Sequence, residues 1–477
     1  MKRASFAYVL ILTLASLSLV WLLRSGSTLA PPPGAPAASP VVEGVSTVGA
    51  MFAGISKNSA DPISHLFLQL LVIIGAAQIV GRVLSRFGLP AVVGEMIAGV
   101  LLGPSLFGLL TPQAFAWVFP IASLDTLRLL SQVGVCLFMF AVGMDLNLEH
   151  VRNKAPTAVV VSHASIVVPF LLGATLAYFL YSRLAAHGAS FTAFALFMGI
   201  SMSITAFPVL ARILQERGLT RTLLGSTAIT CAAVDDVTAW SLLAFIVAIT
   251  RTSSVVGCAL DLLLVLVFIA LMVWIVRPAL ARWLGAARLA RDEPSKGTLA
   301  AVICVTVGAA LTTEMIGIHA LFGAFLAGAI MPRAGGFRHK LAVRVENFSS
   351  VLLLPLFFAF TGLRTQIGLL NDWQGWLICL AIIVVASVGK LGASAIAARL
   401  TGFSWPEALQ LGALMNTRGL MELIALNIGY DLGILSPRIF TMLVIMALAT
   451  TILTGPLLKL FGERNASFAE LPELSRS

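Results

Sequence analysis

The feature that most constrains this chain is a series of long apolar runs, many of eighteen or more residues, that recur from about residue 63 to residue 461. A run of that length crosses the ~30 Å hydrocarbon core of a bilayer as an α-helix. Charged residues make up only 11% of the chain, against about 25% in soluble domains. We therefore exclude a soluble globular domain and predict an all-α, polytopic membrane protein.

The apolar runs define thirteen candidate membrane spans within one transmembrane domain, residues 62–461. The spans lie near 63–85, 90–108, 123–144, 156–181, 190–214, 222–250, 256–284, 297–313, 317–332, 347–364, 373–399, 405–428 and 437–461. Because the connections between them are short, we expect one large bundle of helices with little room for an aqueous domain.

The two ends of the chain differ from this domain. Residues 1–30 carry Lys2 and Arg3, then an apolar stretch, then small residues, which is the layout of a signal peptide. Pro31 would impair cleavage there, so a retained extra membrane helix is the alternative. Residues 31–61, rich in Pro, Ala and Gly, are predicted to be a linker. Residues 462–477 are predicted to be a short tail.

The formal net charge of +10 is unevenly distributed. Lys and Arg collect in alternate loops, which is the pattern that orients a membrane protein with its basic loops in the cytoplasm. This pattern predicts a bacterial inner-membrane protein with the linker 31–61 on the periplasmic side and the C-terminus in the cytoplasm. It also indicates a lipid bilayer, rather than a nucleic acid, as the partner of the basic residues.

Several polar residues carry little functional signal. The five cysteines fall within apolar spans without paired spacing, and we interpret them as buried free thiols. Glu95 and Glu314 lie near span ends and are interpreted as facing water. No histidine or cysteine pattern predicts a metal cluster, and no cofactor is expected.

The chain contains an internal repeat. Residues 89–99 are echoed by 318–328, and residues 137–144 are echoed by 356–363. The copies begin seven spans apart, an odd number, so they enter the membrane in opposite directions. Inverted repeats are typical of alternating-access transporters, whose substrate sites lie between broken helices near the middle of the bilayer. The alternative is that small residues at four-residue spacing merely allow close helix packing.

Two adjacent carboxylates, Asp235 and Asp236, lie in the middle of the span 222–250. Ionisable groups at this depth are costly and mark functional sites by default. Neighbouring positions on a helix point about 100° apart, so the two carboxylates can serve different partners. A desolvated carboxylate can hold a proton or a cation but not both, and that competition couples two fluxes. The alternative is an aspartate pair neutralised for packing alone.

Lys390 is the expected cationic partner of the aspartate pair. It lies deep in the span 373–399 between Gly389 and Gly392, small residues that admit a neighbouring helix. A buried lysine can form an ion pair and can also exchange protons. A purely structural ion pair is the alternative.

Two segments are predicted to be broken helices. The first places Ser203 and Thr205 before the intramembrane Pro208. Unwound backbone and hydroxyls at such a point can coordinate a cation, although hydroxyls often bond their own helix instead. The second, its counterpart in the other repeat, spans 416–422 and contains four polar residues: Asn416, Thr417, Arg418 and Glu422. Arg418 and Glu422, four residues apart, are expected to pair, and we interpret this segment as a gate or scaffold.

These segments are where the chain resembles a known family. Residues 205–212, 317–325 and 414–424 resemble the cation:proton antiporter-2 family, the sodium/hydrogen exchanger and Kef-type membrane domain. The resemblance implies thirteen helices in a dimerisation domain and a mobile six-helix core, and a homodimer. It implies that Asp236 binds the ion and that Asp235 pairs with Lys390. Relatives often carry Gln or Asn at the first position, so Asp235 favours an electrogenic exchanger.

The predicted function is exchange of a monovalent cation, Na⁺ or K⁺, for protons, without enzymatic activity. The alternative within transport is a K⁺-selective efflux protein of Kef type. An intramembrane aspartyl protease is the alternative from another class, but it needs two carboxylates on facing helices that share a proton. A non-transporting ion sensor would share every sequence feature, and only a flux measurement separates it.

Overall fold

The computed structural model describes residues 61–145, 155–220, 222–251, 255–289, 295–332 and 348–462. It also describes single residues within 13–25 and residues 58, 338, 341, 344 and 345. The chain divides into two units, Met1–Ala60 and Asp61–Ser477. The described residues within 13–25 are helical. Most of the predicted leader and linker, and the tail after Gly462, fall outside the described residues.

Asp61–Ser477 is built from α-helices, which we number in chain order. They are α1 Pro62–Ser85, α2 Ala91–Leu102, α3 Ile121–Asp145, α4 Ala155–Leu184, α5a Phe191–Ser203, α5b Phe207–Glu216, α6 Leu223–Arg251, α7 Val255–Leu271 continuing through the π-turn Met272–Val276 into Arg277–Leu289, α8 Lys296–Ile316, α9 Ala320–Ala329, α10 Leu354–Arg364, α11 Trp373–Leu400, α12a Trp405–Met415, α12b Leu420–Asp431 and α13 Pro437–Gly462. Two short helices, Phe107–Leu110 and Pro112–Val118, connect α2 to α3, and a π-turn, Ser349–Leu353, precedes α10.

The all-α, polytopic fold class is confirmed. Within the described residues the backbone forms no strand beyond one isolated bridge between Ala185 and Leu435. Each of the thirteen predicted spans coincides with a helix or a broken helix, and within the described residues eleven of them are long and apolar enough to cross a membrane. The helix α9 and the two halves of α12 fall short of that length, so the exact number of crossings stays a prediction.

Side-chain caps fix several of the helix starts. Ser190 and Ser295 accept hydrogen bonds from the third residue of α5a and α8, respectively. Ser404 and Glu407 form a capping box at the start of α12a. Each cap satisfies backbone N–H groups that have no partner inside the helix. The ends of these apolar segments are therefore defined by local chemistry as well as by the bilayer.

The helices pack mainly within two groups. The first, which we call the site group, contains α4, α5, α6, α11, α12 and α13; the second, the frame group, contains α1–α3 and α7–α10. Both groups combine helices from the first and second halves of the chain. The six helices of the site group include both broken helices, so the candidate site lies within one group.

Packing within the frame group is reciprocal, as the inverted repeat predicts. The first helix of each repeat copy, α2 or α9, packs on the second helix of the other copy, α10 or α3. A side chain at Gly99 would overlap the carbonyl of Phe358, and a side chain at Gly328 would overlap that of Phe140. Glycine allows these backbones to approach closely, and it does so at matching positions of the two copies.

The interpretation of the cysteines as buried holds only in part. Of the described cysteines, Cys231 and Cys379 are buried, Cys136 is half-buried and Cys304 is exposed, and all four are free thiols. Cys304 lies on the outward face of α8, where a membrane protein presents its apolar side chains to lipid. An apolar span therefore does not by itself bury a thiol within the protein.

Candidate functional site

Both predicted helix breaks are confirmed, and they touch each other. The chain leaves α5a after Ser203 and enters α5b at Phe207, with Pro208 in the first turn. It leaves α12a after Met415 and enters α12b at Leu420. The Ala206 amide donates to the Thr417 carbonyl at 2.9 Å. Unwound backbone from each repeat thus meets inside the site group, where it is shielded from lipid.

Asp235 is fully buried and fully bonded. Its carboxylate accepts hydrogen bonds from Ser162 at 2.5 Å, from Ser165 at 3.0 Å and from Thr205 at 2.5 Å. The Lys390 ammonium lies 3.4 Å from the same carboxylate. These four donors replace the water that the carboxylate loses on burial, so Asp235 is held in a fixed position.

Lys390 is anchored by more than this ion pair. It is fully buried on α11 and also donates to the backbone carbonyls of Ser165, at 3.1 Å, and Ser203. Its ammonium therefore bridges α4, the end of α5a and Asp235 on α6. The predicted pairing of Lys390 with Asp235 is present in the structure.

Asp236 has a different environment. It is 1% exposed, and neither carboxylate oxygen has a side-chain hydrogen-bond partner among the described residues; the backbone amide of Phe207, at the start of α5b, is the polar group that interacts with it. The carboxylate lines a small cavity of about 10 Å³ together with Ile204, Trp240 and Met421. A space of this size holds one water-sized particle. A buried carboxylate without a side-chain donor or a cationic partner is costly, so Asp236 is a group that a proton or a cation would stabilise.

Of the two predicted hydroxyl ligands, one bonds the fixed aspartate and the other bonds the backbone. Thr205 bonds Asp235 and lies 3.1 Å from the Met415 carbonyl. The Ser203 hydroxyl bonds the backbone carbonyls of Gly199 and Ile166, at 2.8 Å and 3.0 Å. Thr205 thus positions Asp235, and Ser203 positions Lys390 through its carbonyl. Direct ligation of an ion by either hydroxyl stays a prediction.

The four polar residues of the second break have two kinds of environment. Arg418 lies 3.4 Å from Glu422 and donates to the carbonyls of Ser201 and Met202, both at 2.6 Å. Those carbonyls end α5a and have no partner within the helix, so Arg418 caps one broken helix from the other. The side-chain oxygen atoms of Asn416 and Thr417 are buried without a hydrogen-bond partner among the described residues.

A large cavity lies between the two helix groups. It measures about 610 Å³, and the frame side of its wall is formed by α2, α3 and α10. The site side is formed by α5b, from Phe207 to Gln215, and by Leu420. Arg212 and Gln215 are exposed, so the cavity reaches the protein surface at the ends of α3 and α5b. Its floor lies at the two helix breaks.

Glu95 lies at a place in the fold that its position near a span end does not indicate. Glu95 is half-buried and lines the large cavity that leads to the breaks and reaches the surface, so its predicted exposure to water stays a prediction. Glu314, by contrast, is exposed, and it accepts a hydrogen bond from the first amide of α9. Position along a span could not separate the two glutamates, since only the neighbouring helix α5b turns the surroundings of Glu95 into a cavity.

The fold and the site together define a class of protein. Two broken helices that meet around buried carboxylates, inside a bundle of apolar helices with an aqueous cavity, are the architecture of a secondary transporter. The family described as "Sodium/hydrogen exchanger, transmembrane" matches residues 44–464. The chain belongs to the sodium/hydrogen exchanger family.

Individual relatives agree with this assignment. The chain is 44% identical over 393 residues to the Na⁺/H⁺ antiporter NhaS4 of Synechocystis sp., covering 82% of this chain and 96% of that one. It is 32% identical over 424 residues to the K⁺/H⁺ antiporter 1 of Saccharomyces cerevisiae, covering 87% of this chain and 48% of that one. It thus spans about half the length of the yeast relative.

A solved structure shows the same fold. The sodium proton antiporter MjNhaP1 of Methanocaldococcus jannaschii superposes with a TM-score of 0.56 at 14% identity, covering 83% of this chain and 96% of that one. At this identity the similarity concerns the arrangement of helices alone.

Proposed function

We propose that this protein exchanges a monovalent cation, Na⁺ or K⁺, for protons across a bacterial inner membrane. The observation that carries the proposal is the contrast between two adjacent aspartates. Asp235 is bonded to four side-chain donors, whereas the buried Asp236 carboxylate has no side-chain hydrogen-bond partner among the described residues and faces only the backbone amide of Phe207. Antiport is also the activity in the names of its Synechocystis and yeast relatives.

The contrast assigns different roles to the two aspartates. Asp236 binds either a proton or a cation, and this exclusive occupancy couples the two fluxes. Asp235 and Lys390 hold the local geometry. We expect the exchange to be electrogenic, because a cation that enters beside two carboxylates reduces the need for a positive charge on Lys390 and can displace its proton as well.

Alternating access is part of the proposal. The large cavity opens at the face that carries the loops after α3 and α5b, and the basic loops of the sequence assign this face to the cytoplasm. We propose that the site group moves against the frame group to expose the site on each side in turn. We also propose a homodimer, as the family resemblance implies, with the linker 31–61 outside and the C-terminus inside.

The geometry does not favour the protease alternative. Asp235 and Asp236 are neighbours on one helix, and Asp235 is engaged with Lys390. An aspartyl protease needs two carboxylates that share a proton across a substrate. We therefore expect no enzymatic activity.

The test is a flux assay with purified protein in liposomes that contain a pH-sensitive dye. An imposed proton gradient should collapse when Na⁺ or K⁺ is added, with Li⁺ included as a third cation. Asp236→Asn should abolish this response, because the amide neither takes up and releases a proton nor carries a negative charge. Glu407→Gln, at an exposed helix cap far from the breaks, is the matched control and should exchange normally. Absence of cation-dependent proton movement, or normal exchange by Asp236→Asn, would overturn the proposal.

A further inference from the structure

The interface between the two helix groups has a second, much smaller cavity at the opposite end. It measures about 30 Å³ and lies between α3, α9 and α10 of the frame group and α12b of the site group. The first residues of α3 and α9 and the last residues of α10 and α12b approach this end. The first cavity approaches the other ends of α3 and α10. The groups are therefore apart at one face of the bundle and together at the other.

A cluster of polar contacts crosses the interface at the closed end. Arg364, on α10, lies 2.7 Å from Asp431 and donates to the Asn427 side-chain oxygen at 2.9 Å. Asn427 in turn donates to the Thr361 hydroxyl at 2.9 Å. Arg128, on α3, lies 3.7 Å from Asp431. Each of these four contacts joins the frame group to α12b.

Arg364 is the centre of this cluster. Its side chain is 14% exposed, so its ion pair is screened less by water than a surface pair. Its guanidinium also lies over the rings of Phe360, at 4.2 Å, and Tyr430, at 5.0 Å. Phe360 belongs to the frame group and Tyr430 to the site group, so the cation binds both groups by two kinds of contact.

We propose that Arg364, Arg128, Asn427 and Asp431 form an external latch that keeps the outer ends of the two groups together while the inner cavity is open. This proposal rests on the proposed transport function, since the latch has a role only if the site must also face outward. Opening the outer side requires α12b to separate from both α3 and α10, and all four polar contacts would then break. The latch residues are positioning residues, since they act on which side of the site is open and not on the ion.

The experiment measures access to the outer cavity directly. A reporter, Gln132→Cys, lines this cavity on α3, in a background where Cys136, Cys231, Cys258, Cys304 and Cys379 are replaced by serine. A membrane-impermeant maleimide is added from the outside of intact cells. Adding Arg364→Ala or Asp431→Asn should speed labelling about fivefold or more, the factor expected when roughly 1 kcal/mol of latch energy is lost. The side-specific flux should shift as well, with a lower half-saturating cation concentration outside.

The matched control is Arg438→Ala. Arg438 and Asp372 form an ion pair of the same kind at the same end of the bundle, but both belong to the site group. Its loss should leave labelling of the reporter unchanged. Unchanged labelling in both Arg364→Ala and Asp431→Asn, or an equal increase in Arg438→Ala, would overturn the latch.

The latch and the transport proposal fail in different ways. If Arg364→Ala does not accumulate in the membrane, the nearly isosteric Asp431→Asn decides the question. Absence of cation-dependent flux in the unmodified protein would overturn the proposed function, whereas the labelling rates report the contact between the groups in either case.

Discussion

At the scale of single residues, the site depends on two aspartates that are adjacent in the sequence and chemically identical. Asp235 accepts hydrogen bonds from α4 and from the first helix break and pairs with Lys390. Asp236, one residue later, lines a cavity of about 10 Å³ and has no side-chain hydrogen-bond partner in the described part of the chain. Successive residues on an α-helix point about 100° apart, so Asp235 is held by neighbouring side chains whereas Asp236 faces a cavity.

The buried ion pair gives a stability prediction. Lys390→Ala should lower the thermal stability of the detergent-solubilised protein strongly, because breaking a buried pair leaves an uncompensated charge at a cost of about 3–5 kcal/mol. The double variant Lys390→Ala with Asp235→Asn should recover much of this loss, since the amide removes that charge. Melting curves of the two variants and the unmodified protein provide the test. Equal stability of the single and double variants would contradict an uncompensated charge on Asp235 as the cause of the loss.

The cap across the broken helices gives a second prediction at this scale. Arg418 donates from two different nitrogens to the carbonyls of Ser201 and Met202. Lysine has a single ammonium on a flexible stem and lacks this planar fork, so Arg418→Lys should keep the charge but lower both stability and exchange rate. Melting temperature and flux are the measurements. The control is Arg399→Lys, at the exposed end of α11, which should change neither; normal behaviour of Arg418→Lys would contradict the capping role.

At the scale of elements, close backbone approach joins the two repeats. Gly99 on α2 and Gly328 on α9 occupy matching positions of the repeated segments, and each faces a backbone carbonyl of the partner helix. Helices in lipid associate largely through such packing, because no hydrophobic effect drives them together there. The reciprocal pairing is therefore carried by residues without side chains.

Substitution of these glycines tests the packing. Gly99→Val and Gly328→Val should each reduce stability and the yield of folded protein, because the added atoms overlap the backbone of α10 or α3. Gly308→Ala, on α8 of the same group, meets nothing within 4 Å and should be neutral or slightly stabilising. Size-exclusion profiles and melting temperatures separate these cases. Tolerance of valine at both Gly99 and Gly328 would contradict the close approach.

At the scale of the whole molecule, the interface between the two helix groups contains a cavity of about 610 Å³ at one end and a cavity of about 30 Å³ at the other. The difference describes a bundle open toward one side. Both cavities lie on the same interface, and the broken helices lie between them. This arrangement fits the alternating access proposed above, as distinct from a continuous pore.

The direction of opening can be measured. In a cysteine-free background, Ser350→Cys lines the large cavity and should react with an impermeant maleimide in inside-out vesicles but not in intact cells. Ser349→Cys, its fully buried neighbour, is the control and should stay unlabelled in both. Labelling of Ser350→Cys only from outside would reverse the proposed orientation.

The sequence by itself determined the membrane class, the positions of the helices and the two breaks. The length of an apolar run, the restriction imposed by Pro208 and the cost of an ionisable group in hydrocarbon act locally, so residue order is sufficient to reveal them. It also indicated Asp235, Asp236, Lys390 and Arg418, since charged residues in apolar spans are rare.

Only the tertiary structure decided which neighbours these and the other polar residues contact. Thr205 turned out to hold Asp235, Glu95 came to line a cavity, and Arg364 on α10 reached Asp431, 67 positions further along the chain. Hydrogen bonds and cavities depend on which helix faces which, and that choice is made by contacts between residues far apart in sequence. The intramembrane carboxylate of Asp236 was visible in the sequence. Its lack of a side-chain hydrogen-bond partner among the described residues depends on how the helices pack.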